Sequence, residues 1–498
     1  MTTNIGATRG RLPTDITAMQ HSLRRQIYPY FRAADVVMTE DDLPLPDGKT
    51  ERSTAMRRRR GVRRDGDADT VQPGYLELIE EDGVLRWELD SDPWDAASDE
   101  SALARAPRRR GSRRDFDVAR TVIEQFKFAP ADGSAVSGAL IALDKRLNPN
   151  CVDADGVAKG VLHEVLDGGK IGAPKRPVED GSILLAVHGT FSNSASNVGS
   201  WAATTAGREF LGRALKKYDQ VLAFEHATLS ASPVINALEL TRAFAGSSAK
   251  IDVVCHSRGG LVVRWWMEVF DPRQLRTARA VFVGAPLAGS SLAAPNRIRA
   301  GLDLVTNAGF ALGRGTQIAA VAVPWIGAVG ALIRILASAT GALSKTPVVD
   351  AALAMIPGLA AQAKTDNNVE LQGLQRGLSV VPNGYHFILS DFEPAFAEEG
   401  VWKFWKQFTR LKETAENWAA DKVFDAANDL VVDTSSMTQL SEILSAKAPE
   451  RLQDFGHSTL VHHLNYFDQS ETYAFIQRVF GPGPSTGGDA LRRLATAR

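Results

Sequence analysis

The sequence predicts an α/β fold with a mainly parallel central sheet flanked by helices, a helical cap insertion and a partly disordered N-terminal appendage. Three observations lead there. From about residue 120, short runs rich in Ile, Leu and Val alternate with helical stretches, the pattern of strands buried on both faces of a sheet. A stretch rich in Ala, Gly, Leu and Val at about residues 300–375 interrupts that alternation, as an inserted cap or lid does. Residues 1–118 are rich in Arg, Asp, Pro and Gly and hold few apolar residues outside one stretch, so they read as an appendage.

Size and charge set the frame. A chain of 498 residues exceeds one ordinary domain, and its 44% hydrophobic content supplies a sizeable core. The formal net charge of -1 gives no overall field that would recruit nucleic acid, which is not an expected partner. Two cysteines, Cys151 and Cys255, make no disulfide framework and lack the paired spacing of a structural zinc site, so a reducing, cytoplasmic setting is expected. The stretch Met1 to Ser22 shows no apolar segment of a secretory signal.

Within residues 1–118 an Arg-rich stretch occurs twice: Arg58-Arg59-Arg60-Gly61-Val62-Arg63-Arg64-Asp65 returns 50 residues later as Arg108-Arg109-Arg110-Gly111-Ser112-Arg113-Arg114-Asp115. Both copies end in acid, the composition of solvated linker arms, while peripheral contact with an anionic membrane stays open. Between them, Tyr75–Ile79 and Val84–Leu89 alternate apolar with polar around Glu81-Asp82-Gly83, which predicts a hairpin over 75–89. The expected division is this region, an α/β domain over 119–482 and a flexible tail over 483–498.

The buried strands of that domain come next. Ile183–Val187 ends at His188-Gly189, Val221–Phe224 at Glu225-His226, Ile251–Cys255 at His256-Ser257, and Ala280–Val283 at Gly284-Ala285-Pro286. Polar clusters at strand ends sit where open α/β sheets place their chemistry. Ser232-Pro233 opens a helix as a cap residue followed by proline at the first helical position. An uncharged run from Gly315 to Ile333, bracketed by Arg314 and Arg334, reads as a buried cap helix rather than a membrane span, because Pro324 and several glycines interrupt it.

Ser257 is the candidate nucleophile. A serine hydroxyl attacks only when a base removes its proton and a sharp strand-to-helix turn projects it free of the sheet; glycines flank it because backbone passes close by. Val253-Val254-Cys255-His256-Ser257-Arg258-Gly259-Gly260 followed by Leu261-Val262-Val263 supplies that turn, with Cys255 where glycine is usual. His188-Gly189-Thr190-Phe191 follows the strand expected beside it and reads as an oxyanion loop, in which the backbone N–H groups of Thr190 and Arg258 hold the negative oxygen. This combination predicts the α/β-hydrolase fold, whose chain order places an acid and then a histidine after the serine. Asp429, before Leu430-Val431-Val432, is the first choice of acid and Asp433 the reserve. The segment 456–467 offers His457, His462 and His463 as bases, with His463 preferred. These histidines lack the HExxH pattern or a carboxylate at ligand spacing, so no metal is expected.

The ordered segments VHGTFSNS, VVCHSRGG, VFVGAPLAGSSLA, AANDLVV and HHLNYF resemble bacterial lipase-like α/β hydrolases related to lecithin:cholesterol acyltransferase-like enzymes. The resemblance covers roughly residues 120–480. It implies that Gly284-Ala285-Pro286-Leu287-Ala288-Gly289 is the strand end following the turn, that Asp429 is the acid and that His463, before Tyr466, is the base. The expected reaction is serine-dependent hydrolysis of carboxylic esters without a cofactor, with hydrophobic acyl esters favoured by the apolar segment near 310–360. A binding module that keeps the fold, or an amidase or acyltransferase using the same residues, are the alternatives.

Overall fold

A computed structural model describes residues 74–81, 84–89, 120–128, 133–293, 329, 331–332, 335, 356–364, 368–393 and 427–481. The chain forms two compact units, Met1–Leu143 with Leu302–Ala352 and Glu398–Gln407, and Asp144–Gly301 with Leu353–Ala397 and Phe408–Arg498. In the first, β1 (Gly74–Glu81) and β2 (Val84–Leu89) pair antiparallel across residues 82–83. β3 (Arg120–Phe128) adds antiparallel to the other edge of β1. The sequence boundary at 118/119 groups β3 with the larger domain, whereas its hydrogen bonds group it with the hairpin. The reason lies in its composition: Glu124, Gln125 and Lys127 break its apolar residues, unlike the continuous runs of a sheet covered on both faces.

The second unit holds an eight-stranded sheet. Its strands are β4 (Val161–Val165), β5 (Ile171–Pro174), β6 (Ser182–Val187), β7 (Gln220–Glu225), β8 (Lys250–His256), β9 (Arg279–Val283), β10 (Tyr385–Phe392) and β11 (Leu452–Ser458), in the order β11-β10-β9-β8-β6-β7-β4-β5. From β11 to β7 every neighbour is parallel; β4 and β5 complete one edge antiparallel. Both faces are buried, and the two-residue period of a strand divides each run between two cores. Ile183, Leu185, Val187, Ile251, Val253, Cys255 and Phe282 enter one. Leu184, Ala186, Val254, Val281, Val283 and Ile388 enter the other. Each fully buried Leu, Ile, Val or Phe contributes about 1.5–3 kcal/mol relative to exposure.

The flanking helices divide in the same way. α1 (Ser194–Ala203), α2 (Thr205–Lys217) and α6 (Ser470–Phe480) bury Val198, Trp201, Phe210, Leu211, Tyr473 and Ile476 on one face. α3 (Pro233–Ala243) and α4 (Gly259–Trp265) bury Ala237, Leu240, Val262 and Val263 on the other. A further short helix, α5, spans Val369–Gln375. Asn193 caps α1 through a capping box with Ser196, satisfying N–H groups that would otherwise lack partners. α3 does carry proline in its first turn, yet Ser232 makes no side-chain cap. Its hydroxyl bonds the carboxyl group of Glu370 instead. Among the described residues no helix is long and apolar enough to cross a membrane. Most of the expected cap at 300–375, including nearly all of Gly315–Ile333, and the tail over 483–498 lie outside the described residues, as do both Arg-rich stretches.

Candidate active site

The carboxyl ends of β6 to β9 converge on Ser257. It occupies the turn between β8 and α4 with φ 54°, a left-handed conformation that costs a non-glycine residue about 1–3 kcal/mol and persists only where its surroundings enforce it. They do so here. The Ser257 N–H donates to the Val283 carbonyl at 2.9 Å, and its own carbonyl accepts from Gly260 N–H at 2.9 Å. The two glycines that follow are demanded by space: a Cβ on Gly259 would lie 2.7 Å from the carbonyl oxygens of Val187 and His188, and one on Gly260 would lie 2.5 Å from the Ala285 Cβ. Cys255 is fully buried in regular strand, its sulfur 3.5 Å from the Val281 carbonyl oxygen, and burial pushes its thiol up. A side chain at this position enters the core and leaves the turn untouched.

Three of the residues singled out from the sequence form one buried chain. Ser257 Oγ lies 2.9 Å from His463 Nε2, and His463 Nδ1 lies 2.8 Å from Asp429 Oδ2. With the ring proton on Nδ1, facing the carboxylate, Nε2 is left to accept from the serine hydroxyl. His463 and Asp429 are 1% and 0% exposed and Ser257 is 7% exposed, so water screens these contacts little. The loops lock together through backbone as well, His463 N–H donating to the Asp429 carbonyl at 2.9 Å. The Val431 and Val432 N–H groups fix Asp429 Oδ1 at 3.1 and 2.8 Å.

The reserve residues go elsewhere. Asp433 accepts from the Ser291 N–H and hydroxyl. His462, buried against the Phe392 ring, is driven down to about 4 chiefly by loss of solvent. His457 is an exposed group 3.3 Å from Asp391 and 3.1 Å from Glu393.

The turn after β6 abuts the serine. A Cβ on Gly189 would sit 2.7 Å from Ser257 Cβ, and Phe191 adopts φ 56°. No hydrogen bond among the described residues occupies the N–H of Thr190 or Arg258. The Thr190 hydroxyl accepts from Gln362 Nε2 at 3.0 Å, and that amide also donates to the Gly358 carbonyl. Beneath the turn, His188 Nδ1 lies 3.0 Å from the Gly189 carbonyl oxygen and Nε2 lies 3.3 Å from Glu225 Oε1, while the ring stacks on His226 at 4.0 Å. Burial, then the neighbouring His188 and Arg258, holds the His226 ring well below the usual imidazole range.

Sequence reasoning missed several of these contacts. Tyr466 donates its hydroxyl to Asp429 Oδ2 at 2.9 Å, sharing that oxygen with His463. His256 reaches the His463 carbonyl oxygen through Nε2 at 3.0 Å, its rings packed at 4.9 Å, and burial together with His463 takes it down to about 3. Each lies beside a residue the sequence did mark, His256 before the serine and Tyr466 three places after the base, and that adjacency was the available signal. Glu225 lay in a polar cluster at a strand end, and Gln362 carried no signal. Among the described residues no group of three or more His, Cys, Asp or Glu is arranged to hold a metal ion.

A serine, a histidine and a carboxylate in series at the carboxyl edge of a mixed α/β sheet define the class of site. The chain belongs to the family described as Domain of unknown function (DUF7379), whose model matches residues 164–481. No curated protein matches the chain. Among solved structures it is similar to the mature form of the Bacillus licheniformis lipase BlEst2, at 10% identity and TM-score 0.33, over 64% of this chain and 97% of that one. It is also similar to a putative aryl esterase from Burkholderia cenocepacia, at 12% identity and TM-score 0.32, over 70% and 98%. A third is the Vlm2 thioesterase domain, at 12% identity and TM-score 0.28, over 66% and 99%.

Proposed function

We propose that this chain is a serine hydrolase of the α/β-hydrolase fold that cleaves carboxylic esters through an acyl-enzyme on Ser257. The observation that carries the reading is the continuous contact from Ser257 Oγ through His463 to Asp429, at 2.9 and 2.8 Å, on a serine held at φ 54°. His463 Nε2 takes the hydroxyl proton as Oγ attacks the ester carbonyl, and Asp429 stabilises the imidazolium that forms. The oxyanion is received by the N–H groups of Thr190 and Arg258, each such donor contributing roughly 3–4 kcal/mol to transition-state stabilisation. His463 returns the proton to the departing alcohol; water, deprotonated by the same nitrogen, then releases the acid and restores Ser257. Carbonyl polarisation is thereby assigned to backbone dipoles.

The apolar stretch near 310–360 makes esters with hydrophobic acyl chains the first class to assay. Purified protein is incubated with a fluorophosphonate probe and a series of acyl esters of increasing chain length. Wild type should label at one site and turn over esters, and Ser257→Ala should lose both. Unchanged turnover in Ser257→Ala overturns the proposal.

A further inference from the structure

Arg258 follows the nucleophile, and its side chain is one of the largest in the molecule to be wholly buried. The oxyanion chemistry uses only its backbone. Desolvation lowers the guanidinium to about 10, which leaves it cationic at neutral pH. A buried cation is costly unless paired and hydrogen-bonded, yet this one makes no ion pair within 4.0 Å among the described residues. Nη2 donates to the Ala231 carbonyl at 2.6 Å and to Asn236 Oδ1 at 2.7 Å, tying the turn to the segment that leads into α3. That clamp accounts for one end of the guanidinium. Nε and Nη1 are buried with no hydrogen-bond partner among the described residues.

The carboxyl groups whose fields reach Arg258 are otherwise engaged. Asp144 accepts from the N–H groups of Thr228, Leu229 and Ser230 and from the Ser230 hydroxyl. Glu370, on α5, receives the Ser232 hydroxyl and the Val234 N–H, is pushed up by burial, and leaves Oε2 without a partner. His226 Nε2 is also buried without a partner among the described residues, its Nδ1 lying 3.2 Å from the Phe224 carbonyl oxygen. Asp144 binds the segment that follows β7, Glu370 binds the residues that open α3, and Arg258 lies in the turn after β8 that carries Ser257.

We infer that the side chain of Arg258 receives an anionic group of the substrate, so that the preferred ester carries a carboxylate on a short acyl chain. The inference rests on the serine-hydrolase reading above and puts a charged short acyl group in place of the hydrophobic acyl chain as its preferred substrate class. The unpartnered Nε–H and Nη1–H supply charge-assisted donors, and the anion provides a counter-charge at contact distance, where Asp144 and Glu370 act only through space. An anion on the alcohol portion would satisfy the same chemistry.

Three aryl esters of matched length separate the cases: a pentanoate, a glutarate monoester, and a pentanoate whose phenol carries a sulfonate. Wild type should favour the glutarate monoester over the neutral ester by about tenfold or more in kcat/KM, the scale of one charge-assisted contact. Arg258→Met should abolish that ratio, and Arg258→Lys should keep part of it, whatever each does to the absolute rate. Preference for the sulfonated phenol instead would overturn the acyl placement, and equal ratios in wild type and Arg258→Met would overturn the inference. A second readout needs neither turnover nor a folded variant. Free glutarate should raise the thermal midpoint of wild type and slow its fluorophosphonate labelling, where pentanoamide at equal ionic strength should not. Thermal protection without ester turnover would sink the hydrolase reading and keep the anion site; turnover without glutarate protection or preference would do the reverse.

Discussion

Replacing Gly189 with alanine tests whether the turn after β6 sets the position of Ser257, the proposed nucleophile. The backbone there is not left-handed, so alanine meets no conformational penalty, and the whole effect comes from one methyl group. That methyl would stand 2.7 Å from Ser257 Cβ, 3.2 Å from the His256 carbonyl oxygen and 3.3 Å from Ser257 Oγ. Ordinary carbon contacts begin near 3.5 Å, so serine and turn must part by about 1 Å. Overpacking of this kind costs about 1–3 kcal/mol of stability. The 2.9 Å contact from Ser257 Oγ to His463 Nε2 stretches beyond hydrogen-bond length, and a displacement of about 1 Å at reacting atoms lowers rates by roughly a hundredfold. The assay is the second-order rate of fluorophosphonate labelling, with urea unfolding of the same preparation and Ser257→Ala as the blank. A folded Gly189→Ala protein that labels within about threefold of wild type would refute the placement of this turn against the serine.

Asp429→Asn should fold and lose labelling by a factor on the order of 10³–10⁴, because an amide facing His463 Nδ1 favours the tautomer whose Nε2 carries the proton. Tyr466→Phe should cost about 1.5–3 kcal/mol in urea unfolding, the worth of a hydrogen bond to a charged acceptor, with Asp429 Oδ1 still held by the Val431 and Val432 N–H groups. His462 bears on acid stability. Its folded value of about 4 lies below the ordinary 6.5, so the unfolded chain takes up the proton first. The stability is complete above 6.5 and lost as pH falls from there towards 4. Urea midpoints measured across that window should decline less steeply in His462→Gln, by up to about 1.4 kcal/mol per pH unit for the one proton removed. An unaltered slope would show that His462 does not enter the native state uncharged.

The parallel strands were legible because burial on both faces forces continuous apolar runs, and because the polar clusters at their ends cannot be buried without a purpose. The turn at Ser257 was legible for a related reason: left-handed backbone and close packing leave room only for small residues at 259 and 260. Choosing among His457, His462 and His463 was harder, since adjacent histidines on a loop differ only in the side to which the backbone turns them. Here the bond from His463 N–H to the Asp429 carbonyl fixes that side. The attachment of β3 to the hairpin depended on edge pairing, which leaves no periodic mark. Ser232 has the composition of a cap, but a carboxyl group far along the sequence, Glu370, takes its hydroxyl. Gln362 became visible only when the chain closed in three dimensions.

The contact between Ser257 and His463 joins residues 206 positions apart, and parallel strands joined by crossovers lie between them. Such distant pairings form late, after the loop-closure entropy of the intervening chain has been met. A nascent chain that has folded only through β8 would therefore present Ser257 without His463. On the proposed chemistry the hydroxyl stays inert through synthesis and becomes reactive when the last strand and α6 dock. Active-site labelling would then time completion of the fold, and any partly folded species that accumulates would be chemically silent.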